Sequence, residues 1–193
     1  EAMGHNVEEA MPRFELEPYF SALGVMWNTS LGFACDQLAR KMGRPADHRH
    51  LEPVTLGVYN NSREISAADV IRGRAALNTT RRKIGAFFEN YDLLLTPTTA
   101  QLPVPLDTIH QNQNIPIEEW YLGTSQFNAF TSLFNATGLP AISLPLGQSA
   151  TGLPVGIQFI AGFGEESLLL RVAATFEEAM PWQDRLPPVH ISR

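Results

Sequence analysis

Cysteine is nearly absent from this chain: Cys35 stands by itself in 193 residues. One thiol closes no disulfide framework and builds no thiolate metal cluster. Its neighbours Phe33-Ala34 and Leu38-Ala39 make it a small buried hydrophobe, not a nucleophile. Basic residues are sparse as well, 14 Lys and Arg against 20 Asp and Glu, for a net charge of −6 and a pI near 5.3. Binding nucleic acid needs clustered cations. The one basic run, Arg81-Arg82-Lys83, lies inside a helical pattern and reads as a solvated helix face. No apolar run approaches the ~18–20 residues of a membrane span, so no membrane partner is expected. No secretory leader is visible, since EAMGHNVEEAMP is acidic, and the cytoplasm is the expected compartment. The start has no initiator Met and falls within a strand-like Gly4-His5-Asn6-Val7, from which a cut piece of a longer chain is expected.

Metal and nucleotide motifs are missing too. His48 and His50, with Asp47 and Glu52 near them, form a His-x-His without further ligands at set spacing, which reads as a surface loop. His5, His110 and His190 are isolated. Gly162-Phe163-Gly164 is a turn into a helix and lacks dinucleotide spacing. No metal or organic cofactor is expected.

What remains is an ordinary globular composition, 44% apolar and 18% charged, long enough for one domain with a helical annex. We divide it into a helical segment, 1–62, packing on a main body, 63–193. In the first, Phe20, Leu23, Val25, Met26, Trp27, Leu31, Ala34, Cys35, Leu38 and Met42 recur at helical spacings over Glu17–Gly43. Gly24 and Gly32 are expected to weaken or split that helix. Arg44–Asn61 reads as a loop with one apolar helical turn at Leu56–Tyr59. Ser66, three residues before Asp69, predicts an N-cap for a helix from Ala67 to Asn90. Leu93-Leu94-Leu95, closed by Thr96-Pro97, predicts a strand buried on both faces. Gln101–Trp120 has no strong period and is long for a loop, so pocket lining or partner contact is expected. Phe127, Phe130, Thr131 and Phe134 are placed on one face of a helix within Gly123–Gly138. Strands are predicted at Ala141–Leu146 and Val155–Ala161, each announced by Gly-Leu-Pro, and a final helix over Glu165–Met180. The order fits an α/β fold with mixed strand directions.

The blocks Tyr91–Leu95, Thr96-Pro97-Thr98, Asn135 with Gly138–Pro145, Gly152–Ile160, and Glu166 with Leu168–Leu170 stand here in one order. Together they resemble the C-terminal signature of the amidase signature family. PWQDRLPPV (181–189) and Leu51-Glu52-Pro53-Val54 look like the branch of bacterial amidases and 6-aminohexanoate cyclic dimer hydrolases. The resemblance implies an α/β/α sandwich on a mixed sheet and hydrolysis of carboxylic amides. It also implies a Ser–cis-Ser–Lys triad in which the Lys acts through the bridging Ser as general base, while backbone N–H groups hold the oxyanion. The triad is not found here: the serines, from Ser21 to Ser192, are scattered with no adjacent pair, and Lys41 and Lys83 lack the family context.

The same resemblance assigns this chain a wall of the substrate pocket. Thr131 matches a position facing the acyl pocket, and Asn128 stands where the tRNA amidotransferase branch carries an Asp. Phe127 and Asn135 complete the expected substrate-binding set. With Leu77 in place of an Arg, Asn128 argues against a glutamine donor. For Asn135 and for the phenylalanines a purely structural role stays open. The expected partners are the N-terminal part of the same amidase and a small-molecule amide, with homo-oligomerisation left open. The competing reading is a non-catalytic binding or scaffold module with an amidase-like fold.

Overall fold

The computed structural model describes residues 3–109, 112, 114–187 and 189–191. His110, Ser192, Glu1 and Pro188 lie outside the described residues.

Helix α1, Leu16–Met42, runs unbroken and stops at Gly43, whose φ of 61° is the left-handed conformation that closes a helix C-terminus. Gly24 and Gly32 therefore do not split it. A Cβ on Gly32 would stand 2.1 Å from the Ser62 hydroxyl oxygen, so this glycine is where the end of α2 presses on α1. Helix α2, Pro53–Ser62, replaces the loop expected there. Its Val54 and Val58, one turn apart, are buried against Ile117, which starts α4, Ile117–Phe127. Helix α3, Ala67–Phe87, opens on a capping box: Asp69 N–H donates to the Ser66 hydroxyl at 3.2 Å and Ser66 N–H to the Asp69 carboxylate at 2.9 Å. It ends before residues 88–90, which turn into β1, Leu93–Pro97.

Helix α4 ends at Phe127 and a separate short helix, α5, covers Ser132–Thr137. Phe127, Phe130, Thr131 and Phe134 thus do not share one helix face; Asn128 (φ −102°, ψ 31°) leaves the helical conformation between them. Gly138, at φ 74°, closes α5 and releases the chain into β2, Ala141–Gln148. A tight turn with Gly152 at φ 86° leads to β3, Pro154–Ala161, and then to α6, Glu166–Ala179.

The strands lie in the order β1-β3-β2, both pairings antiparallel. The α/β class stands, while the mixed directions expected from the pattern are not present among the described residues. The short turn between β2 and β3 forces a hairpin, and β1 joins the other side of β3 in the reverse sense. The edge position also corrects β1: Leu95 is 57% exposed, so the strand is not buried on both faces. Pro145 sits in a register shift between Leu144 and Gly147, where an edge strand tolerates a residue without an N–H.

Alternation along β3 sorts the layers. Ile157, Phe159 and Ala161 face α6 with Leu144 and Leu169. Ile160, on the other face, packs with Ile84 of α3 and Phe134 of α5. The result is helix, sheet, helix, with α1 outside α3; Val25 and Ala22 of α1 lie 3.5 and 3.7 Å from where a Gly73 Cβ would be.

Candidate functional site

One face of the sheet is apolar under α6. The other carries polar groups wherever α3 and α5 leave it. Thr96, Gln158 and Ser143 are paired across the three strands in one row. The Gln158 side chain is 5% exposed, and its Nε2 donates to the Phe130 carbonyl at 2.9 Å and to the Thr96 hydroxyl at 3.1 Å. A buried amide must be paired, and this one braces the 127–131 segment over the sheet. Thr98, beside Gly156 at the end of β1, reaches across to Ser143 and shares a hydrogen bond of 2.6 Å with it. Gly156 makes that contact possible: a Cβ there would sit 2.7 Å from both hydroxyl oxygens. Sequence reasoning missed Thr98, Ser143 and Gly156 as a unit. The available signal was the glycine inside a strand, which marks a close approach.

The expected substrate-binding residues lie beside this face. Ala100 N–H donates to the Phe127 carbonyl at 2.9 Å, so the start of the 101–109 segment is tied to the end of α4. Phe127 is half-buried and lines a cleft of about 420 Å³ between that segment and α4. Thr131 is half-buried, but its hydroxyl donates back to the Asn128 carbonyl at 3.1 Å. Asn128 and Asn135 are exposed; Asn135 N–H reaches the Thr131 carbonyl at 3.3 Å. Phe127, Asn128 and Thr131 thus belong to the segment that Gln158 holds through the Phe130 carbonyl, with Asn135 further along α5.

Behind the cleft α4 is fastened to the helical layer. The Tyr121 hydroxyl donates to the Asn28 side chain, and burial, with the Glu118 charge beside it, pushes its pKa up to about 12. Trp120 also lines the cleft, and its Nε1 is buried with no acceptor among the described residues.

Other candidate groups are engaged elsewhere. Asp47 accepts from Arg49 and from His50, and the Arg49 guanidinium holds its carboxyl far below the usual range. The described residues contain no group of three or more His, Cys, Asp or Glu able to hold a metal. Lys83 is paired with Glu15 near the start of α1. No helix of the described residues is long and apolar enough to cross a membrane.

The family model described as "Amidase" matches residues 1–170. The chain belongs to the amidase signature family. Among curated amidase relatives, the 6-aminohexanoate-cyclic-dimer hydrolase of Paenarthrobacter ureafaciens is 30% identical over 198 residues, covering 96% of this chain and 39% of the relative. An acylamidase of Rhodococcus erythropolis is 29% identical over 192 residues, covering 97% and 38%. The solved structure of 6-aminohexanoate cyclic dimer hydrolase superposes with a TM-score of 0.88 at 27% identity, over 97% of this chain and 40% of that one. This amidase chain therefore spans about two fifths of the length of these relatives.

Proposed function

We propose that this chain is the C-terminal part of an enzyme that hydrolyses a carboxylic amide. In this reading it supplies sheet, flanking helices and one wall of the substrate cleft. The nucleophilic Ser, the bridging Ser and the Lys come from residues outside these 193. The nucleophile attacks the amide carbonyl and its proton passes through the bridging Ser to the Lys. The amine departs with a proton, and water then hydrolyses the acyl-enzyme. No step calls for a metal or an organic cofactor. The substrate is a linear or cyclic oligomeric amide, and the partner is the N-terminal part of the same amidase, in the cytoplasm.

The observation that carries the reading is the superposition on 6-aminohexanoate cyclic dimer hydrolase. It takes in nearly all of this chain but well under half of that enzyme. The polar sheet face, with residues 127–131 braced over it, fits the pocket-wall role.

The test is an amide-hydrolysis assay on the purified 193-residue chain and on the longest natural polypeptide that contains it, with an acyl anilide and the cyclic 6-aminohexanoate dimer as substrates. Turnover is expected only from the longer polypeptide. Turnover by the 193 residues that disappears when one of their own serines becomes alanine would overturn the division of labour.

A further inference from the structure

We propose, on the strength of the amide-hydrolase reading, that the cleft between the 101–109 segment and α4 is a subsite for the alkyl arm of the substrate, and that it prefers an arm ending in an ammonium group. At about 420 Å³ it lies in the range of small-molecule sites. Val104, Ile109, Ile115, Leu122 and Phe127 line it. Ile109 and Leu122 are 41% and 62% exposed, so an apolar chain laid along them would remove hydrocarbon from water.

Charge sets the end of the arm. Glu119 is the one ionisable side chain among the described lining residues, and Glu118 stands beside it in the first turn of α4. Those two carboxylates offset the positive end of the α4 dipole, and no Lys or Arg is among the described lining residues. Glu119, on the cleft lining, repels a carboxylate-ended arm and attracts an ammonium. At the other end, Phe127 is held to Ala100, and Gln158 holds Phe130 beside the Thr98–Ser143 hydroxyl pair. The Phe127 end of the cleft is thus the end tied by the chain to the braced 127–131 segment, and the amide end of the arm is assigned to it.

Trp120 lines the cleft and reports on it. With Trp27 and Trp182 changed to Phe, its fluorescence is titrated with three ligands of equal length: 6-aminohexanamide, hexanamide and adipic acid monoamide. Binding is expected in that order, with steps of about two- to fivefold, the scale of an exposed ion pair. Glu119→Gln should bring the three together, and Leu122→Asp should weaken hexanamide. Calorimetry on the unaltered chain reads the same ranking without the Trp substitutions. Equal affinities, absence of binding, or preference for the carboxylate overturns the subsite. A polypeptide that hydrolyses amides while ranking the three ligands equally sinks the subsite and leaves the amidase reading. Ammonium-selective binding in a protein without amide turnover does the reverse.

Discussion

Gly156 shows how much one missing methyl group controls here. Its Cα lies under two hydroxyls that hydrogen-bond over it, so Gly156→Ala must push Thr98 and Ser143 apart. We expect a loss of roughly 1–3 kcal/mol, as for other overpacked sites, read from urea unfolding. Adding Ser143→Ala should recover part of it. Full recovery is not expected, because the Thr98 Cβ also stands 3.1 Å from the new methyl. Gln158 is the second such residue. Gln158→Leu leaves the Phe130 carbonyl without its donor, at a cost of about 1–3 kcal/mol if the group stays dry. Faster amide hydrogen exchange confined to residues 127–131 would distinguish loss of this brace from general loosening of the sheet.

Elements meet where side chains are small. Gly32→Ala in α1 would set a methyl 2.1 Å from the Ser62 hydroxyl oxygen and 2.6 Å from its Cβ. It should lift α2 and lower the thermal midpoint, and Ser62→Gly should restore it. The N-terminus of α3 has its own pH signature. The Ser66 hydroxyl, the Ser66 N–H and Arg72 bring Asp69 down to about 2. A lowered carboxylate stabilises fully above its unfolded value near ~3.9, and that contribution fades as pH falls toward 2. Asp69→Asn should therefore flatten the acid limb of stability between about pH 4 and pH 2, a difference that vanishes at the lower end. Capping residues and strand entries were legible in the sequence because their signals are local: Ser66 with Asp69, the two Gly-Leu-Pro turns, and Glu166 before its Leu-rich helix. Helix α2 was not legible. Its Val, Thr, Asn and Gly residues have poor helix propensity, and it is held by Val54 and Val58 against Ile117, far away in sequence. The start of α4 at Ile117 was hidden for the same reason. Of the candidate site, Phe127, Asn128 and Thr131 were legible as one stretch of chain, whereas the Gln158 contact to the Phe130 carbonyl was not assigned from the sequence. The hydroxyl pair was not, because it depends on cross-strand register.

At the scale of the molecule, α1 leaves several large apolar side chains exposed. The periodicity of its hydrophobic residues was plain, but periodicity does not say which face turns inward. Tyr19, Ala22, Asn28, Gly32 and Cys35 are buried, whereas Leu16, Phe20, Trp27 and Leu38 are 47–60% exposed. Large contiguous apolar exposure marks an interaction surface. The isolated chain is expected to self-associate with rising concentration in sedimentation velocity, and Phe20→Glu with Trp27→Glu should suppress this. A monomer at all concentrations would count against the surface being sticky. The strand order has a further consequence, for how the molecule is made. The central strand, β3, is the last of the three to leave the ribosome, after β1 and β2 have already emerged. The β2–β3 hairpin can close locally, but β1 must wait through more than half a hundred residues for its only neighbour among the described strands. During that interval the Leu93-Leu94-Leu95 run lacks this partner, which leaves the short stretch open to chaperone capture or to misassembly.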